Sequence, residues 1–450
     1  MKKLITLSLV LLLCSSTLLT SCRSTGSIPN TSDQSSQTTT EEVPQLPDST
    51  GLEYFVNFDQ KSCTIKGIGT CTDTTVVIPE VIDGYTVTAI GNATFSEQRD
   101  MVGIVIPKSV ESIGSLPLWG CLNLTSITVE KGNPVYHSSG NCLIETKSKK
   151  LLAGCHNSVI PADGSVTTIG QTAFGRCYRL TSIEIPETIT EIESDAFSNC
   201  GALTSISIPK SVSVIKDGTF FSCESLKTIR FCEGVTEIED GAFRGCSAVS
   251  QIDIPASLTK IAEGSLGYGD FLEKINVSKD NPRYYIAGNS LIDKETKTLL
   301  LGTSKSIIPE DGSVTRIAEY AFCKRRLTTI KIPQSVTEIG ENAFSYCSML
   351  TEISLPDGIA ELPINALLYC TKLENITLPN TLKKIEKFAL HGSKALKNVY
   401  FNGTAAEWES IEIGTDNEPL STATIYYYSE TQPTTSGNYW HYVDGVPTVW

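Results

Sequence analysis

The side chains with the most chemistry are cysteines, and seven of them fall at one position of a recurring phrase. Cys121, Cys177, Cys200, Cys223, Cys246, Cys347 and Cys370 each stand three residues after the Phe or Leu of their repeat. Thiols could hold zinc, form disulfides or attack a substrate. Zinc needs two pairs brought to one tetrahedral point, and one cysteine per repeat makes a line instead. Adjacent repeats stacked as β-rungs would bring Cα atoms within disulfide reach, but with parallel rather than converging Cβ vectors. The spacing therefore predicts small, soft, buried thiols. Gln98, Gly269, Arg325 and Ser393 take the same position in other repeats, and Cys323 stands out of register directly after Phe322. Cys63 with Cys71, and Cys142 with Cys155, are the better disulfide candidates, since an exported protein permits such bonds.

Other chemistry is sparse. The four histidines, His137, His156, His391 and His441, are far apart, and no phosphate-binding glycine loop or HExxH motif occurs. His137 and His156 could share one repeat, but their counterparts 148 positions on are Tyr285 and Ser304. No serine or cysteine column coincides with a histidine, as nucleophilic catalysis would need. No carboxylate pair recurs at one level, as glycoside hydrolysis would need. Acidic residues outnumber basic ones 50 to 36, a net charge of -14. That balance argues against nucleic acid, which is held by clustered Lys and Arg. No enzyme, metal or cofactor is expected.

The elements that position these residues are repeats. The apolar marker before each I-P or its equivalent recurs as Ile78, Ile106, Val129, Ile160, Ile185, Ile208, Phe231, Ile254, Val277, Ile308, Ile332, Leu355, Leu378 and Phe401, mostly 23 residues apart. Two steps of 31 follow Asn133-Pro134 and Asn281-Pro282, and the 148-residue offset between them marks a duplicated block. These long repeats carry alternating apolar stretches around polar turns, Lys147-Ser148 and Lys294-Glu295-Thr296, and read as protruding hairpins. In the 23-residue unit Ile183 and Ile185 point one way while Ser182 and Glu184 point the other. Pro186 closes the strand, and Ala196-Phe197 open a short helical turn that ends at Cys200. One coil cannot bury its apolar residues alone; a stack can.

The unit I-P-x-x-V-x-x-I-x-x-x-A-F-x-x-C-x-x-L-x-x-I resembles the BspA-like bacterial leucine-rich repeat, the 23-residue type, over roughly Gly51 to Tyr428. The resemblance implies an α/β repeat solenoid: a leucine-rich repeat superhelix with a parallel sheet on its concave face, short helical turns on the other side, and β capping units. Residues 51–100 resemble an N-terminal opening unit and 395–428 a C-terminal closing unit. Residues 429–450 read as a linker and an aromatic hairpin around Asp444-Gly445. Ahead of the solenoid, Lys2-Lys3 and an apolar run read as a secretory signal peptide over 1–22. Its ending Leu19-Thr20-Ser21-Cys22 resembles the lipobox of bacterial lipoproteins, which implies lipidation of Cys22, the alternative being an ordinary signal peptide cut near Thr20 or Ser21. Residues 23–50, rich in Ser, Thr, Gln and Pro, read as a disordered tether.

Family members are implicated in adhesion, so the resemblance implies a non-catalytic surface lipoprotein that binds a host matrix or cell-surface protein. The outward strand column supplies the candidate contacts: Glu184, Arg230, Asp253, Lys331 and Tyr400. Glycan binding is the first alternative, kept open by Tyr136, Tyr284 and Tyr285. A spacer without a ligand is the second.

Overall fold

The protein is described here by a computed structural model covering residues 46–266 and 269–450. The expected signal peptide, the expected lipidation site Cys22 and the expected tether up to Gln45 lie outside the described residues. Pro47–Trp450 form one compact unit. Its ordered part begins before residue 51: the Ser49 amide donates to the Val77 carbonyl (2.9 Å), and the Val77 amide donates to Ser49 Oγ (3.0 Å). Ser49, at the end of the stretch expected to be a tether, thus covers the edge of a strand.

Most repeats are coils with two short parallel β segments. The longer segments include Gly103–Ile106, Ser126–Val129, Ser205–Ile208, Thr228–Phe231, Gln251–Ile254, Asn375–Pro379 and Asn398–Asn402. Ile206 pairs with Ile229 and Ile208 with Phe231, all buried, while Ser205, Ser207, Thr228 and Arg230 face outward. This is the inward and outward alternation expected. The second set consists of two-residue strands such as Val214–Ile215 and Glu237–Ile238.

The expected helical turns are not helices. The only α-helices among the described residues, Ala405–Glu409 and Pro419–Thr422, lie in the closing unit. The turn before each column cysteine instead contains two left-handed residues four apart: Asp195 and Asn199, Gly218 and Ser222, Asn342 and Tyr346, Asn365 and Tyr369. Positive φ values of this kind interrupt a right-handed helix. The amides they turn outward bond along the stack. Asp195, Phe197 and Asn199 donate to the carbonyls of Asp217, Thr219 and Phe221 in the next coil (2.6–3.0 Å). The turns thus form a third ladder, satisfying donors that a helix would have satisfied internally.

The core is a file of side chains between these ladders. Phe174, Phe197, Phe220 and Phe243 stack with centroids 5.0, 5.3 and 5.2 Å apart, and Phe322 stacks on Phe344 at 5.3 Å. The first long repeat is a three-stranded antiparallel meander, Tyr136–Ser139, Cys142–Glu145 and Lys150–Ala153; the expected hairpin does not protrude, because its apolar residues are buried in the stack and its last strand pairs on into the next coil. It divides two apolar clusters: Leu143 and Ala153 face the N-terminal one, Ile144 and Leu151 the larger one. The meander Tyr284–Ala287, Ser290–Asp293, Thr298–Leu301 repeats it in the second block. Tyr439–Val443 and Val446–Val449 form the expected terminal hairpin, whose first strand pairs in parallel with Thr424–Tyr428 and so continues the longer-strand sheet.

Candidate binding surface

The longer-strand sheet is not continuous. Among the described residues no backbone hydrogen bond joins Ser182–Ile185 to Ser205–Ile208, although the preceding Thr204 amide donates to Thr181 (3.1 Å). The same ladder is also absent between Ser158–Pro161 and Ser182–Ile185. In the second block the corresponding run, around Ile308 and Ile332, keeps only the bridge from Lys331 to Ser354. The sheet thus breaks after each long repeat, and once more between Thr228–Phe231 and Gln251–Ile254.

The first break opens a groove of about 460 Å³ across three coils. Glu184, Glu187, Ser205, Ser207, Arg230 and Cys232 line its polar side. Ile183, expected to be wholly committed to the stack, is only half-buried and forms part of the wall. Its segment has no ladder partner among the described residues to cover it.

The structure therefore joins two of the five candidate residues, Glu184 and Arg230, in one groove and leaves the others elsewhere. Asp253 accepts hydrogen bonds from Gln251 (2.9 and 3.1 Å) and Asn276 (2.6 Å). Lys331 pairs with Glu310 at 2.7 Å, both side chains well exposed, an arrangement of small energetic weight. Tyr400 stacks on Tyr426 at 5.5 Å and lies 5.5 Å from the buried Trp440, in an aromatic group with Tyr428 and Tyr442. The outward sequence columns contain only Tyr400 and miss that group, because local pattern makes the terminal hairpin look like a separate module. The run Tyr426-Tyr427-Tyr428 was its signal.

The other aromatics considered for glycan contact have structural work. Tyr136 and Tyr284 are buried, and their hydroxyls accept from the Ile113 and Ile261 amides at 3.0 Å each. Tyr285 is half-buried against the core.

All thirteen described cysteines are free, including Cys63, Cys71, Cys142 and Cys155. The column cysteines have a partner that sequence did not reveal. The thiols of Cys200, Cys223, Cys246, Cys347 and Cys370 lie 3.1–3.3 Å from the Phe carbonyl of the preceding coil, and Ser393 Oγ donates to the Leu367 carbonyl in the same way (2.9 Å). Burial pushes the Cys121 and Cys370 thiols up to about 12, so they stay protonated donors rather than nucleophiles.

Arg325 departs most from the column. It is buried, and burial lowers its pKa to about 10. Its Nε donates to the Gly302 carbonyl (2.8 Å) and its Nη1 to the Gly269 carbonyl. Gly269 has no side chain at the column position of its own coil, and Arg325 reaches its carbonyl from a coil further along the stack.

The histidines sit on separate elements. His137 Nδ1 lies 2.9 Å from Thr146 Oγ1, His391 Nδ1 lies 3.1 Å from Glu418, and His441 stacks on Trp450 at 3.6 Å. Burial, and then Arg179, hold His156 below the usual imidazole range. Among the described residues no three His, Cys, Asp or Glu side chains gather as a metal site, and no helix is long and apolar enough to cross a membrane.

A stack of 23-residue coils with paired β ladders, a Phe file and a Cys column defines a leucine-rich repeat solenoid. The profile of the BspA type leucine rich repeat region matches in six copies over residues 70–143, 145–273 and 302–411, and the chain belongs to that family. It is similar to a leucine rich cell surface protein from Faecalibacterium prausnitzii A2-165: TM-score 0.55, 27% identity, 82% of this chain and 99% of that one covered. A leucine-rich repeat protein from Bacteroides ovatus ATCC 8483 matches at 21% identity and TM-score 0.40, over 86% of this chain and 100% of that one. The pneumococcal vaccine antigen PcpA matches at 17% identity and TM-score 0.47, over 87% and 89%. No curated protein sequence matches significantly.

Proposed function

We propose that the chain is a non-catalytic surface lipoprotein, anchored through Cys22, that binds a host matrix or cell-surface protein through its longer-strand sheet. The groove at the first sheet break carries this reading: a carboxylate, Glu184, and a guanidinium, Arg230, stand on one exposed wall beside the half-buried Ile183. Mixed charge around an apolar patch is the pattern of a protein interface rather than of a reaction centre. The surface setting is supported by the cell surface description of the F. prausnitzii protein and by the L-T-S-C stretch ending at Cys22.

The test is binding to an array of purified extracellular-matrix proteins by the wild type and by the pair Glu184→Lys, Arg230→Glu. Charge reversal should slow association and change its salt dependence while leaving the melting temperature nearly unchanged. A ligand bound equally by both proteins would remove the groove from the reading, and no ligand at all would favour a spacer. Separately, Cys22→Ser should move the protein from the membrane fraction to the soluble exported fraction, since stable anchoring needs more than one lipid chain. Retention on membranes after a salt wash would exclude the anchor.

A further inference from the structure

The left-handed position before the column residue changes character along the chain. It holds Asn199, Ser222 and Gly245 in the middle repeats, Glu97, Arg176 and Lys324 in others, and the aromatic Tyr346 (φ 58°) and Tyr369 (φ 53°) in the later ones. A bulky side chain there is costly. Burial does not offset that cost, because Tyr346 is 43% and Tyr369 39% exposed. The two rings stack at 5.3 Å, and His391 meets the Tyr369 ring edge-on at 5.5 Å. Gly392, at φ 73°, lies so close beneath the Tyr369 ring that a Cβ there would strike it. The ring is therefore seated at a fixed place by a residue that only glycine can supply.

Beside the ring opens a cleft of about 450 Å³, lined by Tyr369, His391, Lys394, Glu418, Pro419 and Thr422. That volume lies in the range of small-molecule sites. One wall is aromatic. The others offer a carboxylate, an imidazole, an ammonium and a hydroxyl. Glu418 and His391 are already paired at 3.1 Å, which sets the direction of the acceptor.

We propose that this cleft is a saccharide subsite, taking one neutral hexopyranose or N-acetylhexosamine unit of a glycan. The apolar C–H face of the sugar lies on Tyr369, where an amphipathic ring offers area at low entropic cost. The equatorial hydroxyls then reach Glu418, Lys394 and Thr422. The site is separate from the groove at Glu184 and Arg230 and does not depend on it.

The probes are cellotriose, chitotriose and N-acetyllactosamine, followed by saturation-transfer NMR and calorimetry on the exported chain. At least one should bind the wild type. Tyr369→Ala should weaken it about tenfold, the factor an aromatic contact supplies, and Glu418→Gln should weaken it without altering the melting temperature. Gly392→Ala should weaken it by displacing the ring. Tyr178→Ala, an equally exposed aromatic in another coil, and the Glu184, Arg230 pair should bind as the wild type does. Absence of binding to all three probes overturns the proposal, as does a folded Tyr369→Ala that binds within twofold of the wild type. So does displacement of the sugar signal by a proline-rich peptide bound on Tyr369, which would make the ligand a peptide.

Discussion

At the scale of single residues, the column cysteines are hydrogen-bond donors that pack. Six of the seven thiols meet a Phe carbonyl one coil back, Cys177 meets the Gly154 carbonyl instead, and Ser393 shows that a hydroxyl can do the same. Cys200→Ser should therefore be nearly neutral, whereas Cys200→Ala removes both the sulfur and the donor and should cost about 1–2 kcal/mol. Thermal melts of the two variants check this, and equal losses would remove the donor argument. The intact protein should leave these thiols unmodified by an alkylating reagent until denaturant is added, with no reductant required. Arg325 has larger consequences. Arg325→Ala would leave an apolar void and strip two buried carbonyls of their donor, and should lower stability by about 3 kcal/mol or more; a melt within a degree of the wild type would contradict its role. The regular cysteine spacing was legible because it is periodic. The purpose of the thiol was not, since the acceptor is a backbone carbonyl 26 residues away. The bond from Arg325 to the Gly269 carbonyl was likewise hidden, since it joins positions 56 apart.

At the scale of elements, the long repeats are held by a device that occurs twice. Asn133 Nδ2 donates to the carbonyls of Pro107 and Val110, and its Oδ1 accepts the Val135 and Tyr136 amides. Asn281 does the same with Pro255, Leu258, Arg283 and Tyr284. One amide thus fixes where the meander leaves the preceding coil. Asn281→Ala should cost about 2–3 kcal/mol, because it leaves buried backbone groups unpaired. Asn281→Asp should recover less than half of that, because a carboxylate cannot donate to Pro255 and Leu258. Urea midpoints of the two variants measure it, and an Asp variant as stable as the wild type would show that the donors do not matter. The N-P pair and the 148-residue offset make this element legible in the sequence, because both are periodic features of the chain. The turns are less legible. Ala-Phe followed by cysteine four residues on fits a helical turn by spacing alone, yet Asp195, Asn199, Gly218, Asn342 and Asn365 already offered the left-handed residues that forbid one.

At the scale of the whole molecule, a stack of coils has two ends, and each exposes a strand edge able to recruit another chain. The first edge, Thr75–Val77, is covered by Ser49 through its amide and hydroxyl. The last is Val446–Val449, which pairs only with Tyr439–Val443 among the described residues. The register Trp440 to Val449, His441 to Thr448, Tyr442 to Pro447 and Val443 to Val446, with the Trp450 amide donating to Tyr439 (3.1 Å), sets which amides face inward. Antiparallel pairs alternate, so Trp450, Thr448 and Val446 bond inward, and positions 449 and 447 face the open edge. Pro447 has no amide to offer there. The proline therefore blunts an edge whose side chains, Val446 at 61% and Val449 at 45% exposed, would otherwise favour pairing. Asp444-Gly445 made the hairpin legible, but which strand it would join was a matter of long-range register that local pattern does not carry. Pro447→Val restores the donor and adds β propensity. It should raise the weight-average mass in a concentration-dependent way in sedimentation equilibrium, relative to the wild type. Pro447→Val with Val449→Lys, which puts a charge at the edge, should reverse the change. If the single variant sediments like the wild type across the concentration series, the edge is protected by something other than its proline.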